Sequence, residues 1–251
     1  MVFRADPLEK KAMYYTIKEG SFRLPSNADD PEAIRREYTN PKTKEDGVSY
    51  ERGFKALYGI ITDVSFRENT LKDGTNLRSI NINIGDNEDG VAQIISIPQD
   101  SRFATDLLKR LPSVDFSKEV RLMPYDFEKD GPRQVGISIA YKNPDTEEFT
   151  VKVGNDYFTK VEEKDGKKVY TNLHGFPEPT DEDSSDWPFY FKKVEKFLIQ
   201  YTKEHVLPRI GTNETRSTTS TPKATGDRNE SEKIDDAFDA AFPDPKDAPP
   251  F

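Results

Sequence analysis

Hydrophobic and polar residues alternate most regularly between Phe54 and Lys142. "TNLRSININIGD" sets Ile80, Ile82 and Ile84 on one face and Ser79, Asn81 and Asn83 on the other, the period of a strand. "FKALYGIITDVSFREN" alternates too, and its spacing predicts Tyr58, Ile60, Thr62, Val64 and Phe66 on one face. "GVAQIISIPQ" supplies a third strand through Val91, Ile95 and Ile97. The turn-forming runs "KDGTN" and "GDNEDG" separate the three. The period then lengthens. In "SRFATDLLKRLPSV", Phe103, Leu107, Leu108 and Leu111 fall on one helical face. Two more strands follow, "KEVRLMPYDFEK" and "RQVGISIAYK", the latter with Val135, Ile137, Ile139 and Tyr141 on one side. Short strands are expected within "EFTVKVGNDYFTKVEEKDGKKVYTNL".

Three strands, a helix, then two strands is the order of an OB-fold. Five strands left as an open sheet would expose unpaired edges, and closing them into a small barrel plugged by the helix removes that liability. The expected fold is therefore mainly β: a five-stranded OB-fold barrel with one helix between strands three and four, additional β elements, a C-terminal helix and a disordered acidic tail. A generic α+β sandwich shares the same element list. Upstream, "MYYTIKEGSFRLPS" reads as a strand pair or an arm, and "DDPEAIRREY" as a short helix capped by Asp30 before Pro31.

The C-terminal helix lies in "DWPFYFKKVEKFLIQYTKEHVLPRIG". Phe191, Val194, Phe197, Leu198 and Tyr201 recur at three- and four-residue steps and should pack on the body. Asp186 is placed to cap it, Pro188 suits its first turn, and Pro208 and Gly211 close it. From Gly211 to Lys233 the chain is Ser/Thr/Asn-rich, with no hydrophobic residue larger than alanine. The expected organisation is a binding domain over 1–210, a polar linker over 211–226 and an acidic tip over 227–251.

Composition narrows the function classes. Hydrophobic residues make up 33% of the chain and charged residues another 33%, as expected of a folded core diluted by polar segments. Cysteine is absent, which excludes disulfide and thiolate chemistry. The start of the chain lacks a signal-like apolar run, and no stretch has the length of a membrane helix. The expectation is a cytoplasmic protein with no membrane partner. Two histidines, His174 and His205, do not make a zinc site of the usual kinds, and no phosphate-binding glycine loop occurs. "DNEDG" lacks the spacing of a calcium loop and reads as a hairpin turn. No cofactor or metal is expected, and nothing favours an enzyme.

Net charge is −9, unevenly spread. Residues 227–251 hold eight acidic and three basic groups, a net of −5, leaving −4 on residues 1–226. Nucleic-acid binding must therefore rest on a local patch. One is suggested by a mixture of aromatics and cations. Arg67, Lys72 and Arg78 flank the first hairpin, Arg121, Tyr125, Phe127 and Lys129 lie in the fourth strand, and Arg133 and Lys142 bound the fifth. Cations follow phosphates, while aromatic faces stack on unpaired bases whatever their sequence. Tyr125 and Phe127 share parity with Arg121, opposite Val120 and Leu122. An aromatic at strand spacing is more often core than platform, and Phe66, beside Ile60 and Val64, fits the core.

The tip "KIDDAFDAAFPDPKDAPPF" combines Asp235, Asp236, Asp239, Asp244 and Asp247 with Phe238, Phe242, Pro249, Pro250 and Phe251. With the barrel pattern and the polar linker, this ending resembles that of single-stranded DNA-binding proteins of bacteria and their phages, the elaborated ends favouring a phage-encoded version. Prolines interrupt the tip, and it has no unbroken aspartate run. The resemblance implies non-specific binding and protection of single-stranded DNA in replication, recombination or repair. It also implies recruitment of polymerase, helicase or nuclease partners through the tip, placement in a host cytoplasm if phage-encoded, and leaves homo-oligomerisation open. A terminal carboxylate beside an aromatic ring suits a basic-rimmed apolar pocket. The alternative is an adaptor that binds no nucleic acid and whose tail docks a partner.

Overall fold

The computed structural model describes residues 12–39, 44–70, 74–85, 91–128, 133–164, 167–180 and 186–210. The linker, the whole tip, Lys72, Lys129 and the "DNEDG" turn lie outside the described residues. The protein is mainly β with two α-helices. Its strands are β1 (Met13–Lys18), β2 (Ser21–Ser26), β3 (Ile34–Thr39), β4 (Asp46–Phe54), β5 (Leu57–Thr70), β6 (Asn76–Gly85), β7 (Gln93–Pro98), β8 (Val120–Phe127), β9 (Gln134–Lys142), β10 (Phe149–Lys152), β11 (Thr159–Lys164) and β12 (Lys167–Asn172). The helices are α1 (Arg102–Arg110) and α2 (Trp187–Tyr201).

Ten strands form one open sheet in the order β10-β9-β8-β5-β6-β7-β1-β2-β4-β3, and β11 pairs with β12 alone. The expected closed five-stranded barrel is thus corrected to an open sheet. The helix does fall between the third and fourth predicted strands, but β7 pairs in parallel with β1 rather than closing on β9. The β9 edge is satisfied differently. Ile137 donates its backbone N–H to Asp106 of α1 at 2.8 Å, and Ile139 accepts from the Val153 amide at 2.8 Å. A helix carboxylate and the β10 segment take the hydrogen bonds that a barrel seam would have used.

The chain divides into two compact units. The described residues of the first fall within 12–22 and 55–210, and those of the second within Arg23–Phe54. In the first unit, Ile80, Ile82, Ile95, Ile97, Leu107, Leu111, Leu122 and Ile139 are all 0% exposed. Each such side chain contributes about 1.5–3 kcal/mol on burial. The helix α1 starts where its sequence allows: Ser101 accepts from the Ala104 amide at 3.1 Å, and Ala104, Leu107 and Leu108 face the core. Gly20, at φ +65°, puts the turn after β1 so close to β8 that a Cβ there would sit 2.7 Å from the Asp126 nitrogen.

One strand departs from its expected pattern. The register of β5 against β6 shifts between Ile61 and Asp63, a bulge that resets the alternation. Leu57, Ile61 and Val64 are therefore buried, and Tyr58, expected inward, is 47% exposed.

An aromatic cluster ties the segment around β11 and β12 to α2. Phe158 is 1% exposed and meets Phe176, Phe197 and Tyr201 with centroids 5.5, 5.6 and 4.9 Å away. Tyr157 stacks on His174 at 4.3 Å and shares a 2.8 Å hydroxyl hydrogen bond with Tyr201. Asp186 caps α2 as expected, accepting from the Phe189 amide at 3.1 Å. Val194 and Leu198 are buried, but Phe191, expected to pack on the body, is exposed beside Trp187 and Phe189.

In the second unit, the expected "DDPEAIRREY" helix is instead a turn followed by β3. Asp30 accepts from the Glu32 amide at 3.0 Å, which supports an Asx-type turn. Isoleucine, arginine and tyrosine then continue as a strand paired to β4.

Candidate nucleic-acid interface

Strand register defines the site. Tyr58 of β5 lies beside Arg121 of β8, which lies beside Ala140 of β9, so the three share the face opposite the core. Along β8 the same face carries Arg121, Met123, Tyr125 and Phe127, while Val120 and Leu122 are buried behind it. The shared parity of Arg121, Tyr125 and Phe127, opposite Val120 and Leu122, is the one the sequence showed. Next to these side chains β9 presents Ala140, Ser138, Gly136 and Gln134. Gly136 and Ala140 are buried among the larger side chains on this face.

The aromatics near this face fall into two pairs, each with one exposed ring, Tyr58 and Phe127, and one half-buried ring, Phe149 and Tyr125. Tyr58 meets Phe149 edge to face at 5.1 Å. Tyr125 and Phe127 lie 5.9 Å apart with planes tilted by 44°. Phe127 is 47% exposed. Arg121 is half-buried, and its Nε has no hydrogen-bond partner among the described residues.

Tyr125 has a second attachment. Its hydroxyl donates to Asp106 Oδ2 at 3.3 Å, and that carboxylate also binds Arg110 Nε at 3.1 Å and the Ile137 amide. Burial, then the neighbouring Asp106 charge, raises the Tyr125 phenol above its ordinary pKa, so it stays a neutral donor. Gly136 leaves the space in which this hydroxyl and the Asp106 carboxylate meet.

The remaining expected cations do not converge. Arg67 shares the outer face with Tyr58, through Ser65 and past the bulge, but lies nine residues along β5. That is on the order of 30 Å along the strand. Arg78 has the parity of Ile80, on the core side, and pairs with Glu195 of α2 at 3.5 Å. Arg133 grips Asp126 with two hydrogen bonds of 2.6 Å. Lys142 lies on the outer face near Phe149, 3.9 Å from Glu147. Ser79, Asn81 and Ser96, on the outer face of β6 and β7, are buried. Of the residues expected from the sequence, the aromatic–cation mixture thus falls at the β5–β8–β9–β10 end; a second exposed mixture, Trp187, Phe189 and Phe191 with Lys193 over the Phe189 ring, lies on α2.

Two members of this patch escape a reading by alternation. Tyr58 is hidden by the bulge, for which the adjacent Gly59, at φ +145° against β6, is the only local signal. Phe149 follows a turn and pairs irregularly with β9, so no strand period announces it. Among the described residues no cluster of three metal-ligating side chains occurs, and no helix is long and apolar enough to cross a membrane. No family model, curated protein or solved structure matches the chain.

Proposed function

We propose that the outer face carrying Tyr58, Arg121, Met123, Tyr125, Phe127 and Phe149 binds single-stranded DNA without sequence preference. The observation that carries this reading is the register line Tyr58–Arg121–Ala140, flanked by two aromatic pairs, each with one exposed ring. Bases need faces to stack on, and phosphates need a cation without a fixed carboxylate partner. Arg121 provides the cation, directly opposite Tyr58 and on the same face of β8 as Tyr125 and Phe127. The fold supports the same reading. Taken in sequence, the five predicted strands are ordered fifth, fourth, first, second, third in the sheet. That is the order of an OB-fold barrel opened at the seam between its third and fifth strands, and such barrels bind oligonucleotides.

The ion-paired cations act as a reserve. An exposed pair such as Lys142–Glu147 is worth about 0–1 kcal/mol, so an arriving phosphate displaces the carboxylate at little cost. The two-pronged Arg133–Asp126 contact is stronger and holds the end of β8 to the start of β9. In this reading the protein protects single-stranded DNA, and its acidic tip recruits replication or recombination enzymes, as in the phage and bacterial proteins that its ending resembles. The test is fluorescence anisotropy with labelled oligo-dT. Phe127→Ala and Tyr58→Ala should each weaken binding by about 1–3 kcal/mol, the value of one stacked base, with the melting temperature unchanged. Unaltered affinity in both variants would remove the site. The adaptor reading expects that unaltered result, together with no detectable binding by the wild-type chain.

A further inference from the structure

The strand β3 ends the sheet, and no described strand lies beyond it. A strand in that position turns half of its backbone donors and acceptors outward, ready to pair with another strand. Ile34 on this strand is 46% exposed. Its sequence is Ile-Arg-Arg-Glu-Tyr-Thr, residues 34–39.

Consider a second copy of the same strand added antiparallel across this edge. Residues directly opposite each other in an antiparallel pair point to the same face, and a two-fold axis perpendicular to the sheet preserves that face. The axis must then pass beside a residue that opposes itself, not between two residues. An axis at Glu37 would press two carboxylates together and leave Arg35 opposite a threonine. An axis at Arg36 sets Arg35 opposite Glu37 of the second copy and Ile34 opposite its Tyr38, each contact occurring twice. Opposite charges and an aliphatic–aromatic pair are favourable cross-strand neighbours. The one like-charge contact, Arg36 against itself, is relieved within each chain, because Arg36 Nε lies 3.2 Å from Glu51. Within one chain Arg35 and Glu37 already touch at 2.5 Å, with side chains 53% and 73% exposed, so both charges stand at the open edge.

We propose that β3 is a self-pairing edge that joins two copies of this chain into a two-fold dimer by continuing the sheet. The occupant is a second copy rather than another peptide because the strand is complementary in charge and shape to itself in one register. This inference is independent of the DNA-binding reading.

The register specifies its own test, made on the full chain by sedimentation velocity and light scattering. The wild-type protein should show twice the 28.7 kDa chain mass. Arg35→Glu sets two carboxylates against each other at both contacts across the axis, and Glu37→Arg sets two guanidinium groups against each other there. Each variant should self-associate at least about tenfold more weakly. Mixing the two restores opposite charges at both contacts: each chain of the first variant offers two carboxylates and each chain of the second two guanidinium groups. A heterodimer should therefore form that neither variant forms alone. The double swap R35E/E37R should dimerise like the wild type. Both positions are exposed, and circular dichroism checks that each variant folds. A monomeric wild type, a dimer indifferent to both single changes, or a mixture that fails to pair would each overturn the proposal.

Discussion

At the residue scale, Asp106 is the side chain on which most depends near the site. It accepts from the Ile137 amide, the Tyr125 hydroxyl and Arg110, and so joins α1 to β8 and β9. Asp106→Ala leaves a strand-edge amide and an arginine without their acceptor. The expected loss is about 1–3 kcal/mol or more of unfolding free energy, read from a urea titration. Tyr125→Phe removes only the hydroxyl. It should cost about 0.5–1.5 kcal/mol of stability and leave the ring, and hence oligo-dT binding, in place. If Tyr125→Phe weakens binding as much as Phe127→Ala does, the Tyr125 hydroxyl touches DNA and its contact with Asp106 is secondary. Phe127 has no such attachment to the helix, which is why its truncation separates binding from stability.

At the scale of elements, α2 is held by aromatic contact, and this gives the fold an alkaline limit. Tyr201 is pushed from 10.0 up to about 12, by burial first and then by the hydrogen bond with Tyr157. A folded-state pKa above the unfolded one means that the unfolded chain gives up its proton first as pH rises. The stabilisation is therefore complete below about pH 10 and is lost as pH climbs through about 12. Thermal melts across that window should fall more steeply for the wild type than for Tyr201→Phe, and parallel curves would contradict the assignment. Elements also show what the sequence could reveal. β6 was legible because Ile80, Ile82 and Ile84 alternate without interruption against Ile95 and Ile97. Asp186 marked the start of α2, because a carboxylate there accepts from an amide that the helix leaves unpaired. Illegible features had long-range causes. The β5 bulge depends on Gly59 and Gly85 meeting across two strands, and the β3 strand on a partner, β4, that outweighs the helical promise of "PEAIRREY". Barrel closure failed as an expectation because nothing local records that Asp106 will take the Ile137 amide.

At the scale of the whole molecule, charge is the governing quantity. The net −9 opposes approach of DNA, and more than half of it, −5, lies in residues 227–251. On the expectation that residues 211–226 form a flexible linker, about sixteen residues would span roughly 20–25 Å and hold the tip at high effective concentration near the rest of the chain. Removing residues 227–251 should tighten single-stranded DNA binding, most at low salt where screening is weakest. Deleting Phe251 alone should leave that affinity almost unchanged, since the acidic charges remain, and should instead weaken capture of replication enzymes. Weaker DNA binding after truncation would make the tail part of the binding surface.

The central claim is that unpaired bases stack on the outer face of β5, β8 and β10. It is tested most directly by titrating the full-length protein with oligo-dT and with a duplex of equal length over a range of salt. Stacking predicts clear preference for the single strand, with log affinity falling against log salt by about 0.7 for each phosphate neutralised. Equal or tighter binding of the duplex, or an affinity for oligo-dT that ignores salt, would contradict it.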